Sequence, residues 1–378
     1  MSAETATKQY TALYEEHQKL GASFTDFGGW QMPLKYQSEL AEHHAVRQAA
    51  GLFDLSHMGE VWVTGPDAGK FLDFALVSRL SAVAVGKAKY SLICNEDGGI
   101  IDDLISYRRA EEKFLVVPNA GNAKAVAEAL AERAGDFDVT VEDVTASISL
   151  VAVQGPNSVA ILKQLVAAAD HAVVTEMKYY AADEVHFTVS GAPLRLLLAR
   201  TGYTGEDGFE IYVPNENAAS LWSALLSAGK DFDLVPAGLA ARDSLRLEAG
   251  MPLYGNELSL EVSPYDAGLG PIVALKKEGE FVGRAALEAQ KERGSKRKLV
   301  GLKGLGRRAA RSHYPVSKDG QTVGEVTSGQ PSPTLGYPVA LAYVDIEHIE
   351  PGTRLDVDLR GKPEPFEVVA LPFYKRDK

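Results

Sequence analysis

Gly98-Gly99-Ile100-Ile101-Asp102-Asp103-Leu104 joins a turn signal to an apolar run. The turn is Asn95-Glu96-Asp97-Gly98-Gly99, and the flanking segments 90–94 and 100–107 read as the two strands of a hairpin around it. In a strand, neighbouring side chains point to opposite faces. One of the two adjacent acids therefore faces the interior side of the sheet, where a carboxylate costs free energy unless something satisfies it. A protein donor or a cationic, hydrogen-bonding ligand can do so.

Upstream of the hairpin, 38–50 reads as a helix with Ser38 as its N-cap and Gly51 as its C′ residue. Residues 60–64 alternate as a strand, and Gly65-Pro66 opens the next helix. Downstream come a short strand at 114–117, an alanine-rich helix at 123–133 and a strand at 137–141. A second run of similar order follows: a strand over 147–153, a helix over 157–169, and strands near 185–189 and 194–198. The glycine-punctuated loop Gly202-Tyr203-Thr204-Gly205-Glu206-Asp207-Gly208 then leads into a strand over 209–213 and helices over 218–227 and 240–249. Strands interrupted irregularly by helices give an α+β pattern rather than an alternation of parallel units. The similar order of the two runs hints at a loose internal duplication.

From Lys291 the composition changes. Lys291, Arg293, Lys296, Arg297, Lys298, Lys303, Arg307, Arg308 and Arg311 crowd a stretch whose one acid is Glu292. It reads as a solvated interdomain linker or as a surface for an acidic protein partner. Beyond it, short strands alternate with Gly/Pro turns, the pattern of a small all-β domain.

At 378 residues, 46% hydrophobic and 24% charged, the chain has the composition of a soluble globular protein of two or three domains. No apolar run reaches the length of a membrane span, and the amino terminus is polar without a signal core. The lone Cys94 leaves no intramolecular disulfide and no multi-cysteine metal or cluster site. A cytoplasmic location fits. A net charge of −12 argues against general nucleic-acid affinity, so an anionic ligand needs locally placed arginines or lysines.

Three motifs lead nowhere. Gly65-Pro66-Asp67-Ala68-Gly69-Lys70-Phe71 has the wrong spacing for a phosphate loop and no Ser or Thr after Lys70. Gly304-Leu305-Gly306-Arg307-Arg308-Ala309 fits a loose dinucleotide pattern, but His313-Tyr314-Pro315 interrupts the helix that pattern needs. His43-His44 with Glu39 suggests a metal, yet adjacent helical residues point about 100° apart and do not share one ion easily.

Glu210 and Arg242 form a stronger pair. Glu210 enters a strand from the glycine-rich loop, and Arg242 begins the helical stretch Ala241-Arg242-Asp243-Ser244-Leu245-Arg246-Leu247-Glu248. A carboxylate accepts two parallel hydrogen bonds from a guanidine-like edge, such as the ring N–H and exocyclic amine of a pterin. Arg242 would then meet a carbonyl or carboxylate of the same ligand. The plainer alternative pairs Arg242 with Asp243 or Glu248 on a helix surface. Tyr90, Tyr203, Phe27 and Trp30 are either walls for a flat ligand or simple core packing.

Several segments together resemble the aminomethyltransferase (T-protein) family of the glycine cleavage system. They are Asp26-Phe27-Gly28-Gly29-Trp30-Gln31-Met32-Pro33, Phe53-Asp54-Leu55-Ser56-His57-Met58-Gly59 and the 98–104 stretch. Thr201-Gly202-Tyr203 through Phe209-Glu210, Gly238-Leu239-Ala240 through Glu248-Ala249, and Thr327-Ser328-Gly329 through Leu335-Gly336 complete the set. The resemblance implies an α+β protein, a three-domain ring (cloverleaf) around a central folate channel with a small carboxy-terminal β-barrel-like domain. It implies domains of 1–58 with 147–251, 59–146 with 252–291, and 292–378.

The family reaction moves a one-carbon unit from the lipoyl arm of H-protein to tetrahydrofolate, a co-substrate, with neither metal nor flavin. Carried onto this chain, the resemblance makes Asp103 the catalytic acid beside the reacting folate nitrogens and Glu210 the holder of the pterin edge. Arg242 becomes a further substrate-binding residue. Met58, Tyr90, Asn119 and Tyr203 match positions lining the folate pocket, and Lys375-Arg376 falls near the substrate. Pro118 departs from the Val or Ser expected before Asn119. The implied partners are lipoylated H-protein and folate, not nucleic acid or membrane.

Same-fold alternatives are a tetrahydrofolate-dependent sulfonium demethylase of the dimethylsulfoniopropionate type and a non-catalytic folate-binding protein that assists iron–sulfur assembly. The latter's Lys-Gly-Cys signature is missing, since Cys94 lies in Leu92-Ile93-Cys94-Asn95. A module like that of the sarcosine and dimethylglycine dehydrogenases would follow a flavin domain, for which the chain leaves no room.

Overall fold

The computed structural model of the protein describes residues 8–376, so residues 1–7, with most of the polar amino-terminal stretch, and 377–378 lie outside it. The chain divides into two compact units. The first runs to Ala68 and adds Val83–Lys89 and Ile105–Arg242; the second takes Gly69–Ala82, Tyr90–Leu104 and Asp243 onward. No helix of the described residues is long and apolar enough to cross a membrane.

The first unit is built on a six-stranded sheet. Its order is Ala182–Val189, Ala192–Ala199, Gly208–Pro214, Ile148–Gln154, Ala50–Asp54 and Leu234–Pro236. All neighbours pair antiparallel except the last two, which are parallel. Phe209, Ile211 and Val213 point from the third strand into the apolar core, with Val151, Val153 and Leu198 from its neighbours and Phe187 from the first strand. Trp222 and Leu225 close that core from the helix Asn215–Gly229. By the period of two, Glu210 and Tyr212 take the opposite face of the same strand.

Ser38 caps the helix Glu39–Gln48, its side chain accepting from the Ala41 N–H. Gly51 is not the left-handed residue past that helix. It already belongs to a strand, and a Cβ there would meet Val46 Cγ2 at 2.4 Å. Close packing, not helix termination, calls for that glycine.

The hairpin of the 90–107 segment forms the strands Ala88–Cys94 and Ile100–Ala110, and the unit boundary falls within both. They belong to a five-stranded sheet continued by Lys113–Pro118, Val61–Thr64 and Thr140–Asp143. The turn closes through Asn95, whose carbonyl accepts from Gly98 N–H and whose side chain accepts from Gly99 N–H at 2.8 Å. A Cβ on Gly99 would stand 1.9 Å from the Leu260 carbonyl oxygen, so only glycine fits.

In the second unit, six strands from Arg297–Gly304 to Pro363–Val369 close a barrel, which leaves no free sheet edge. Val300, Leu302, Val316, Val326, Val344 and Phe366 fill it. The basic stretch is not a linker between domains. Lys296 to Lys303 run into and along the barrel's first strand, where Arg297 pairs with Asp345 and Lys303 lies over the Tyr337 ring. Val300 and Leu302 alternate into the barrel core, and Arg297 and Lys303 take the other face of the strand.

A buried polar knot sits at the start of the second unit's long carboxy-terminal segment. Arg246, 1% exposed, donates to Asp243, Glu257 and Ser328, and Ser328 donates to the second oxygen of Glu257. Glu248 accepts from the Ser332 and Thr334 hydroxyls and from Thr334 N–H. The 238–249 and 327–336 motifs therefore meet as structural partners.

Candidate active site

Within the first unit, the strand Gly208–Pro214 carries Glu210 buried at 9% exposure. Its Oε2 accepts from the Thr201 hydroxyl in a short bond and from the Tyr107 hydroxyl at 3.3 Å. Tyr107 and Thr201 also share a hydrogen bond of 2.9 Å. Burial pushes the Glu210 carboxyl up from the ordinary carboxylate value, and Thr201, the Arg242 charge and Tyr107 offset only part of that, so it stays raised.

The loop before Glu210 is held from several sides. Gln154 donates to the Thr201 carbonyl and accepts from the Thr204 hydroxyl. A Cβ at Gly202 would stand 2.0 Å from Gln154 Oε1, which is why the loop needs glycine there. Arg47 donates to the Thr204 carbonyl and to Glu206, both charged side chains being nearly buried. So fixed, the loop presents Tyr203, half-buried, with the Arg242 guanidinium 4.6 Å from its ring centroid. Arg242 thus faces Tyr203 and the field of Glu210. Asp243 and Glu248 take the other partners named above.

Met58 is half-buried in a turn whose N–H bonds the Leu55 carbonyl. The next residue, Gly59, donates to the Pro118 carbonyl, bringing the Met58 turn beside the Pro118-Asn119 step. A Cβ on Gly59 would meet Pro118 Cγ at 2.8 Å. Asn119 is half-buried and extended, ahead of a short 3₁₀ turn. The turn is anchored at Asp54, which accepts from Thr11, His17 and the Ser56 N–H. Burial alone would raise the Asp54 carboxyl, but His17 and these bonds hold it below its ordinary value.

Within the second unit, the strand alternates as the acid pair demands. Asp102 is fully buried, on the face of Ile100 and Leu104, and Asp103 is half-buried on the other. Asp103 Oδ2 accepts from the hydroxyl of half-buried Tyr90 at 3.0 Å. The inward acid is therefore Asp102, and the acid matched to catalysis by resemblance is its neighbour. Arg376 is half-buried and Lys375 exposed.

Three residues near these groups were assigned no role in the sequence reading. His57 is 1% exposed, edge-on to Phe27 at 5.4 Å, and its Nδ1 has no hydrogen-bond partner among the described residues. Burial, then the Arg242 charge, lowers its pKa to about 4, so the ring is neutral at pH 7. Tyr107 and Thr201 are the other two. Thr201 stood in the quoted 201–210 motif and was open to notice; Tyr107 carried no local signal. Among the described residues, no three or more His, Cys, Asp or Glu side chains group as metal ligands.

The class is thus an α+β protein with a carboxy-terminal six-stranded barrel. Residues 13–277 match the GCVT N-terminal domain, and 297–375 match the glycine cleavage T-protein C-terminal barrel domain. An aminomethyltransferase of Corynebacterium aurimucosum is 56% identical over 370 residues, covering 98% of this chain and 99% of the relative. One of Streptomyces coelicolor is 57% identical over 372 residues, covering 97% and 98%. The crystal structure of the glycine cleavage system aminomethyltransferase T from Bartonella henselae superposes with a TM-score of 0.89 at 38% identity, covering 98% of this chain and 99% of that one. The chain belongs to the glycine cleavage T-protein family of aminomethyltransferases.

Proposed function

We propose that the chain transfers the one-carbon unit of S-aminomethyl-dihydrolipoyl H-protein to tetrahydrofolate, releasing ammonia and forming 5,10-methylenetetrahydrofolate. The observation that carries this reading is the identity of more than half its residues to aminomethyltransferases along nearly its full length. The acid, carboxylate and guanidinium that the reaction requires stand at Asp103, Glu210 and Arg242. With the reading go a cytoplasmic location and the domains 1–58 with 147–251, 59–146 with 252–291, and 292–378.

In the reaction, one folate nitrogen attacks the methylene carbon as ammonia leaves. The C–S bond then breaks, releasing the dihydrolipoyl thiol and leaving an iminium-like carbon that the second nitrogen closes on, so two C–N bonds form while one C–N and one C–S bond break. Positive charge develops at the carbon before that ring closure. Asp103, its Oδ2 fixed by Tyr90, supplies the opposite charge and orients the nitrogen lone pair. Glu210 takes the donor edge of the pterin, and Arg242 a carbonyl or carboxylate of the same ligand. Met58, Asn119 and Tyr203 contribute walls, and Arg376 a cation toward the substrate.

The test is tetrahydrofolate-dependent ammonia release from aminomethylated H-protein by the purified chain. Release together with methylenetetrahydrofolate is expected. Silence beside an active family enzyme, with folate still bound, would sink the assignment and turn attention to a sulfonium donor.

A further inference from the structure

The carboxylate of Glu210 is held on one side only. Oε2 receives both of its hydrogen bonds, and Oε1 has none among the described residues. Oε1 is not one of the sealed, partnerless atoms, so it stays open to a ligand. Tyr107 and Thr201 are each 1% exposed, so their hydroxyls turn to the acid and not to water.

The protons can be counted. Each hydroxyl has a single proton to donate, and an ionised carboxylate has none. Thr201 donates to Glu210 Oε2, so its oxygen is left to accept. Tyr107 lies 2.9 Å from that oxygen and 3.3 Å from the carboxylate, so its proton goes first to Thr201. The order is Tyr107 to Thr201 to Glu210, each bond polarising the next toward the acid. A proton on Oε2 would leave it facing the Thr201 proton at the shortest contact of the set. Both donors therefore fix Oε2 as an acceptor, which favours the ionised acid and leaves Oε1 as the oxygen that meets a ligand.

We infer that Tyr107 and Thr201 are positioning residues for Glu210: their hydroxyls occupy Oε2, favour its charged form against burial, and leave Oε1 to a ligand that donates hydrogen bonds. The inference rests on the reading that Glu210 binds the folate. It makes this relay a determinant of specificity, since a ligand edge that accepts where the pterin donates meets a carboxylate with no proton to give. Tyr212, on the Glu210 face, packs its ring edge-on at 5.9 Å from that of Tyr107.

The experiment is equilibrium binding of tetrahydrofolate to the full chain, excluding oxygen, across pH 5.5–9, with steady-state kinetics alongside. Thr201→Val should weaken binding at pH 7.5 by about 10- to 100-fold, the scale of a hydrogen bond to a charged group. Its KM for folate should rise while kcat at saturation stays within about threefold, as for a lost binding interaction. The acid limb of its binding profile should move to higher pH, because losing a donor raises a carboxyl pKa. Thr201→Ser, which keeps the hydroxyl, should restore affinity and profile. Tyr107→Phe should give the same shift more weakly, and it carries the test if Thr201→Val does not fold. Wild-type affinity and pH profile in Thr201→Val and Tyr107→Phe, with Glu210→Gln impaired, would overturn the relay and leave the Glu210 assignment standing. Failure of Thr201→Ser to restore binding would also overturn it, pointing to shape and not the hydroxyl. Full affinity in Glu210→Gln would remove the underlying reading, and the relay with it.

Discussion

Glu210 and Glu60 are both buried carboxylates of the first unit, one in the middle of its six-stranded sheet and the other just ahead of the strand Val61–Thr64. Their surroundings differ. Glu210 has two hydroxyls on one oxygen and the field of Arg242. Glu60 is 1% exposed, and neither of its oxygens finds a hydrogen-bond partner among the described residues. Burial first, and then Asp143, push its carboxyl well above the ordinary value. Burial raises both carboxyls, and the donors make the difference of degree. Around Glu210, Thr201, Arg242 and Tyr107 favour the charged form against burial, whereas around Glu60 nothing among the described residues does and the neutral form is favoured more strongly.

The largest expected effect extends the comparison to Asp103, which also accepts a tyrosine hydroxyl but remains half exposed. Asp103→Asn keeps the shape and removes the charge. It should lower kcat by about 100-fold or more while folate affinity changes little, the mark of a charge used in the transition state. Equal losses in both would assign Asp103 to binding alone. Next comes Glu210→Gln, which keeps a carbonyl but sets an amide N–H₂ against the ligand's donors. Folate binding should weaken by about 100-fold, and calorimetry or fluorescence titration reads it directly.

Two smaller effects concern stability. The buried His57 has a folded pKa of about 4 against an unfolded value near 6.5. As pH falls below 6.5, the unfolded chain takes up a proton that the folded chain refuses until about pH 4, so stability drops through that window. Between pH 7 and pH 5 the loss from this one group is about 2 kcal/mol. Urea unfolding at the two pH values, with His57→Asn as reference, measures it; an equal pH slope in both proteins would show that His57 is not the cause.

Glu60 has the opposite sign. Its raised folded pKa means the folded chain keeps a proton that the unfolded chain releases above about pH 4.5, so stability falls as pH rises from there. Glu60→Leu should flatten that slope and stabilise the protein at pH 7.5 by about 1–3 kcal/mol, the usual range for removing an unsatisfied buried polar group. A variant less stable at pH 7.5 would mean that Glu60 is ionised and partnered after all, and the contrast with Glu210 would collapse.

Much of this was legible in the chain. Period-two alternation and turn glycines predicted the hairpin around Gly98-Gly99, the strand entered by Glu210 and the small carboxy-terminal β domain. These are local patterns, set by backbone geometry over a few residues. The glycine-punctuated loop before Glu210 was visible for the same reason. Local chemistry misled where two structures share one composition. The basic stretch looked like a solvated linker because cations dominate it, yet its apolar residues alternate through the first barrel strand.

By itself the sequence determined that Asp102 and Asp103 face opposite sides, since consecutive strand residues must; only the tertiary structure decided that Asp102 is the one sealed inside. The sequence also suggested Glu210 and Arg242 as a pair, and the structure puts the Arg242 charge in the field of Glu210. Tyr107, however, lies 103 residues from the Glu210 whose oxygen it approaches, and 94 from Thr201. Separations of that length carry no periodic signal. They are fixed by the order of strands and by which face of each strand the core claims, and so the donors that one buried acid has, and another lacks, emerge only when the chain has folded.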